Sequence, residues 1–464
     1  RRAPLAGAIV AGCVVLVVMR AATRSTSEAT SVQTTPALRG GAAETVRYLT
    51  IIDAGSSGCR AHVFRYKVAN AAVVDVDPAH KNLKVRPGLS SFAENPDGAG
   101  ASVAPLLDFM RSEIPQAARP SAPVFLKATA GLRLVTPEQA EAILASVRAV
   151  FRDSEFAFDE TDGAKVIAGT DEGGFGWMTV NALFGTLAAK KASSSTSGEA
   201  PSYVGVVEMG GASAQVTQYY SSSSDATAAA APDGALPSEY AFHAKAGATD
   251  VTLYAKSYLG YGLEKAREAL TAYLKENRFD ADPCLYSGFD AGAAASSVYD
   301  GALPGSGDVA ACRSAIEAGL FDADDAKPSC SFVACSSIQH AYQPTTLPES
   351  PLLVFENFYY TKKMLGTEFD TLQGYERGAD AVCGMTWADI SASEYPKDGS
   401  DKADLTKLCF AAVYLPIFLE KGLHVAPTKP LKIQQAVGDF DIDWSLGAAI
   451  REASNLAAAS GGRL

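Results

Sequence analysis

Two segments of the chain set a carboxylate beside a glycine-rich turn at the end of a strand-like run. The first, Arg47–Phe64, reads as an apolar strand ending at Asp53, a turn through Gly55, Ser56, Ser57 and Gly58, and a second strand. The second, Tyr203–Thr217, repeats the pattern with Glu208 followed by Gly210, Gly211, Ala212 and Ser213. Such turns present consecutive backbone N–H groups, which together hold an anion without Lys or Arg. A carboxylate at the strand end repels a bare phosphate, so Asp53 and Glu208 imply a hard divalent cation between them and the ligand. One copy is explained equally well by an ordinary turn between strands. Two copies, their carboxylates 155 residues apart, point to a duplicated lobe and to one ligand gripped from both sides.

A third segment, Val166–Asn181, places Asp171 and Glu172 against glycines and aromatics. A carboxylate there can orient and deprotonate water for attack on phosphorus. The competing reading is a favourable acidic first turn of the following helix. A fourth, Leu126–Arg133, ends a strand with Thr129, Gly131 and Arg133 and is weak by itself. Other chemistries lack their signatures: there is no GxxxxGK[ST], no GxSxG and no HExxH. The five His are scattered, which argues against a His-based triad or a zinc site.

The elements that must position these groups follow from periodicity. Apolar β-rich runs alternate with helix-like segments such as Pro137–Phe151 and Leu263–Asn277. In the first, Ala140, Ile143, Leu144, Val147, Val150 and Phe151 fall on one helical face. Alternation of this kind predicts an α/β fold. Stretches 192–201, 221–237, 290–307 and 391–407 read as loops or insertions. The 464 residues carry 52 Asp and Glu against 40 Lys and Arg, a net charge of -12. This excludes a dedicated nucleic-acid binder, but not a small polyphosphate held by amides and a metal.

Near the N-terminus, Arg1 and Arg2 precede an uncharged run from Ala3 to Met19, then Arg20 and a Thr/Ser-rich stretch to Thr35. The pattern predicts one membrane anchor with its positive end cytoplasmic. A cleaved signal peptide is the other reading. Either puts the rest of the chain in an oxidising compartment. Six cysteines in the second half agree with that: Cys284, Cys312, Cys330, Cys335, Cys383 and Cys409. Spacing alone does not fix their pairing, although Cys330 and Cys335 are close enough for a small loop.

Taken in order, segments 51–64, 127–134, 166–185, 206–217 and 257–266 resemble the apyrase family, the nucleoside triphosphate diphosphohydrolases. Smaller echoes lie at 85–96, at Cys330, at 355–363 and at 443–450, so the resemblance runs from about Val46 onward. It implies an α/β, actin-like two-lobe fold of duplicated ribonuclease-H-like lobes with an active-site cleft between them. The expected organisation is anchor 1–22, stalk 23–45, lobe I 46–165 plus 430–464, and lobe II 166–429. The implied activity is hydrolysis of terminal phosphates from nucleoside tri- and diphosphates with Ca²⁺ or Mg²⁺, without a covalent phosphoenzyme. A non-hydrolytic nucleotide sensor or chaperone, or a phosphotransferase of the same superfold, is the alternative. The single anchor resembles the Golgi or endomembrane branch, with secretion as the alternative. Oligomeric state is left open.

Matched residue by residue, Glu172 stands at the family's catalytic base, and Ser213 and Gln215 at positions that place the water. Asp53 and Glu208 match the carboxylates around the metal, with Thr129 a nearby hydroxyl. Gly55, Ser56, Ser57, Gly58, Gly210, Gly211 and Ala212 match the phosphate loops. Chain order pairs Cys284 with Cys312 and Cys383 with Cys409. Tyr359 and Tyr375 are candidates for stacking on the base. Three residues depart from the family's usual pattern: Glu208 replaces Asp, Cys59 replaces Thr or Ser, and Ala214 replaces Thr. The longer Glu208 side chain bears on metal preference. Cys59 reads either as a redox-sensitive thiol or as a small buried strand residue.

Overall fold

The computed structural model describes residues 44–70, 72–187, 203–220, 236–246, 249–289, 299, 301–322, 332, 334–366 and 368–461. The N-terminal apolar run, the stalk up to residue 43, the 192–201 loop, most of the 221–237 stretch, residues 290–298 and Cys330 lie outside them. So does the expected Cys330–Cys335 pair. Among the described residues no helix is long and apolar enough to cross a membrane.

Strand β1 (Thr45–Ala54) runs antiparallel to β2 (Cys59–Ala69), and Ala54 pairs with Cys59, so Gly55–Gly58 is the hairpin tip. β1 is buried on both faces. Leu49 and Ile51 enter one core, while Ile52 and Ala54 enter another, as the two-residue period requires. β3 (Ala72–Val76) and β4 (Lys81–Val85) both pair with β2. Helix α1 (Asp97–Glu113) leads to β5 (Val124–Ala128), which lies parallel to β1. After the short α2 (Ala130–Arg133), α3 (Pro137–Arg152) starts at a capping box between Thr136 and Gln139. β6 (Ala164–Val166) then pairs parallel to β5 and feeds α4 (Gly169–Leu183).

The second sheet repeats this plan. β7 (Gly205–Met209) and β8 (Ser213–Tyr219) form a hairpin in which Met209 pairs with Ala214. β9 (Ala241–Ala246) and β10 (Thr249–Leu259) extend it on the β8 side. Helices α5 (Leu263–Glu276) and α6 (Val309–Ile316) follow, then β11 (Leu352–Glu356), parallel to β7. α7 (Asn357–Leu365), α8 (Leu372–Val382), α9 (Trp387–Ala392) and α10 (Leu405–Ile417) precede β12 (Lys432–Ile433), which pairs parallel to β11. The small pair β13 (Ala436–Val437) and β14 (Phe440–Asp441) leads into α11 (Ser445–Gly461).

Strand orders β3-β2-β1-β5-β6 and β10-β8-β7-β11-β12 therefore correspond, each with its glycine tip between the first two strands of its half. This duplicated α/β architecture is the actin-like two-lobe fold. α11 packs against β1, β2 and β3 and also against α4 and β9, which ties the two halves together. Its buried face is Ala448, Ala449, Ala453 and Ala457, small residues that permit close approach. Lys127 of β5 pairs with Glu452 of the same helix at 2.6 Å.

The second half is further held by the Cys284–Cys312 and Cys383–Cys409 disulfides, the pairing expected from chain order. Beside the first lies a wholly buried ion pair between Arg267 and Asp282. Asp282 also accepts from the Cys284 amide at 2.9 Å, and the guanidinium sits over Tyr299 and Phe410. Removing one partner strands a charge in the core. Asp282→Ala is expected to lower stability by about 3–5 kcal/mol, whereas Arg267→Met with Asp282→Leu is expected to lower it less than the single change. Urea unfolding of the three proteins checks the order.

Candidate functional site

The two hairpin tips line one cleft of about 150 Å³. Its wall includes Asp53, Gly55, Ser56, Ser57, Gly58, Thr129, Glu172, Glu208, Gly210, Gly211, Ala212 and Ser213. The tips approach closely: a Cβ added to Gly211 would lie 3.4 Å from Ser56 Oγ. Gln215 stands behind the wall and donates from Nε2 to Ser213 Oγ at 3.0 Å. The structure thus brings together the candidate catalytic, phosphate-loop and metal residues, with Gln215 reaching the cleft through Ser213.

Each tip is braced from below. The first turn closes with the Gly55 amide donating to Gly58 O at 3.0 Å, the second with Gly210 donating to Ser213 O at 3.1 Å. The N-terminus of α5 sits under the second tip. There Leu263 N donates to Gly210 O, while Glu264 N and Lys265 N donate to Gly211 O, at 2.9–3.1 Å. These carbonyls are thereby occupied, and the positive end of the helix lies beneath the loop. The approach requires glycine at 262, since a Cβ there would fall 2.4 Å from the amide nitrogens of Ala212 and Ser213. Gly88 plays the same part under the first tip, where a Cβ would meet Ser56 O at 2.2 Å. Thr129 is fixed by its amide, which donates to Ala54 O at 3.1 Å.

Glu172 occupies the first turn of α4 and is 6% exposed. The Arg133 guanidinium donates to its Oε2 and, through Nη1, to Ser257 Oγ at 3.2 Å. Its neighbour Asp171 lines a different groove, with Lys127 and Arg451. Burial lifts the Glu172 carboxyl above its ordinary range, opposed by Arg133 and by hydrogen bonds from Gln215 and Arg133. Burial, then the charge of Glu172, pushes Asp53 up to about 8. Glu208 is raised well above its ordinary range, by burial and then by Glu172, Glu356, Asp53 and Asp443.

Whether these residues suit a cation is answered by their oxygens. Asp53 Oδ1 and Glu208 Oε2 are buried and have no hydrogen-bond partner among the described residues. Orphaned carboxylate oxygens in one cleft suit a hard divalent ion, and Thr129 adds a hydroxyl to the same wall.

Other residues of the wall escaped the sequence reading: Arg60, His62, Lys84, Glu356, Asp443 and Trp444. Period-two alternation from Gly58 could have found Arg60 and His62. Lys84 faces the tip because Lys84 pairs with Arg60 across β2 and β4, and its Nζ lies 3.4 Å from Ser57 Oγ. Glu356 arrives only through the parallel pairing of β11 with β7, which sets Phe355 opposite Glu208. The expectation of scattered histidines also fails locally. His62 Nδ1 lies 2.8 Å from His80 Nε2 and 3.7 Å from Asp443 Oδ2, because the residues before β4 fold back over β2. Burial lowers His62 to about 4.

Two further expectations are corrected or resolved. Tyr375 is wholly buried and donates its hydroxyl to Phe358 O at 2.6 Å, so it is a core residue, and neither it nor Tyr359 lines the cleft. Cys59 is fully buried, and burial pushes its thiol up to about 12. It is the packed strand residue and not an exposed thiol.

A two-lobed α/β fold with paired glycine tips and a buried carboxylate cluster places the chain in the actin-like class. Residues 41–460 match the GDA1/CD39 (nucleoside phosphatase) family. The chain belongs to that family and is a nucleotide-hydrolysing enzyme. It is 32% identical over 430 residues to probable apyrase 5 of Arabidopsis thaliana, covering 87% of this chain and 82% of the relative. It is 29% identical over 431 residues to the guanosine-diphosphatase of Schizosaccharomyces pombe, covering 87% and 73%. Among solved structures, a nucleoside triphosphate hydrolase from Neospora caninum shares the fold, with a TM-score of 0.63 and 17% identity over 90% of this chain and 94% of that one.

The raised Asp53 carboxyl has a stability consequence. The folded, metal-free protein keeps a proton that the unfolded chain releases near the ordinary value of 3.8, so its stability falls as pH rises from about 4 to about 8. Saturating Ca²⁺ is expected to remove this fall. Thermal midpoints across that range, with chelator and with Ca²⁺, check it, and a chelated midpoint that climbs with pH contradicts it. Separately, Cys59 in the native protein is expected to resist iodoacetamide at pH 8 and to react on unfolding, as read by peptide mass.

Proposed function

We propose that the cleft hydrolyses the terminal phosphate of nucleoside di- and triphosphates, with Glu172 as general base. The observation that carries this reading is the position of Glu172: buried, held by Arg133, and beside the Ser213–Gln215 pair between the two glycine tips. In this reading Ser213 and Gln215 align a water on the terminal phosphorus. Glu172 takes its proton as the new P–O bond forms, and the bond to the bridging oxygen breaks toward the shortened nucleotide. The raised carboxyl of Glu172 supports the role, since a base works best with its pKa closer to the operating pH. Amides of both tips receive the phosphate oxygens, and Arg60 and Lys84 add positive charge at the wall.

Asp53 and Glu208, with Thr129 beside them, would hold Ca²⁺ or Mg²⁺. When bound, the ion supplies charge neutralisation at the phosphoryl oxygens. The two disulfides and the Ala3–Met19 run support an oxidising, endomembrane setting, with one N-terminal segment as the membrane attachment.

Glu172→Gln keeps the shape and removes the base. It is expected to lower kcat by about 10²–10⁴-fold with KM little changed, measured as phosphate release from a nucleotide panel. Unchanged turnover would sink the mechanism, and phosphate appearing on an acceptor instead of water would favour the phosphotransferase. Glu208→Asp is expected to retain turnover while altering the ratio of Ca²⁺- to Mg²⁺-supported rates.

A further inference from the structure

We propose that His62, His80 and Asp443 form a binding site for a borderline transition-metal ion of the Zn²⁺ type. Its donors differ from the oxygen pair of Asp53 and Glu208, which line the same cleft.

One ligand atom from each residue lies within 4.8 Å of the others. The His62 Nδ1 to His80 Nε2 separation is 2.8 Å and the His62 Nδ1 to Asp443 Oδ2 separation is 3.7 Å. Zinc ligands at about 2.0–2.1 Å in tetrahedral array stand about 3.3 Å apart, between these two values. The outer contacts already orient the donors. His80 Nδ1 lies 3.0 Å from Pro78 O, so Nδ1 carries the hydrogen and Nε2 holds the lone pair. This is the carbonyl-to-imidazole contact that fixes metal-binding histidines. Asp443 Oδ1 accepts from the Ser445 amide at 2.7 Å and from its hydroxyl, which leaves Oδ2 as the donor atom. His62 is 1% exposed and held on β2.

In the metal-free protein the His62 Nδ1 hydrogen fills the 2.8 Å contact with His80. Metal binding uses the other neutral tautomer of His62, with its hydrogen on Nε2, so the ion takes the place of the shared hydrogen. Two imidazoles and one carboxylate select a borderline ion, whereas Asp53, Glu208 and Thr129 offer only oxygen to a hard one. His62 and Asp443 also line the cleft. The bound ion would tie β2 and the residues before β4 to the start of α11.

The test titrates Zn²⁺ into chelator-stripped full chain in the presence of saturating Ca²⁺, by calorimetry. Co²⁺ serves as the spectroscopic probe. The expected result is one Zn²⁺ per chain and visible Co²⁺ bands that Zn²⁺ displaces. His80→Gln, outside the cleft wall, is expected to weaken Zn²⁺ binding by more than about 100-fold and abolish the bands, with the metal-free thermal midpoint unchanged. Asp443→Asn, which keeps an acceptor for Ser445, is expected to weaken binding as well. Equal Zn²⁺ affinity in wild type and His80→Gln overturns the proposal, as does loss of the Co²⁺ spectrum when Ca²⁺ is added.

Discussion

Asp53, Glu172 and Glu208 converge from three different strands and helices into one cleft, and their mutual repulsion governs the rest of the site. Like charges in a poorly solvated space cannot all remain ionised unless something positive joins them. Burial raises all three carboxyls, and the charge of Glu172 raises Asp53 and Glu208 as well. The fold answers with separate devices. Arg133 is committed to Glu172, the tips offer amide hydrogens, and Asp53 Oδ1 and Glu208 Oε2 have no hydrogen-bond partner among the described residues. Such a cluster is tolerable in a protein that binds a cation and a polyanion together, and costly in one that does not.

Holding the cluster demands rigid support, which explains several features far from the chemistry. Each glycine tip lies between two buried strands, and each is backed by a glycine that lets another backbone approach: Gly88 under the first and Gly262 under the second. α11 packs on strands of one half and on α4 of the other, so the helix carrying Glu172 is braced by the same element that begins beside Asp443 and Trp444. The acidic surface and the anion site are reconciled in this way. A chain of net charge -12 presents local positive field through amides, a helix N-terminus and the side chains of Arg60 and Lys84.

The departures from the family pattern have distinct consequences. Cys59 and Ala214 sit in the apolar cores beneath the tips, where a small side chain suffices. Glu208 is in the cleft itself, so its extra methylene projects into the space that the cleft encloses.

The duplicated acidic-x-Gly pattern, the α/β alternation and the block containing Glu172 were legible in the sequence because each depends on neighbours within about ten residues. A hairpin tip is specified by its own glycines, and a helix by its own apolar face. The disulfides at Cys284–Cys312 and Cys383–Cys409 were legible from order once the resemblance was made. Glu356, Asp443 and Lys84 were not. Their place in the cleft depends on the parallel β11–β7 pairing, on the return of the chain into α11 and on the β2–β4 register. The meeting of His62 with His80 is of the same kind. Eighteen residues of sequence separate them, and only the β2–β4 pairing brings their nitrogens to 2.8 Å. Tyr375 marks the converse case, an aromatic whose type suited a ligand but whose burial assigned it to the core. Local pattern determined which residues can do chemistry, and long-range strand pairing decided which of them meet, because register and burial are properties of the assembled sheets.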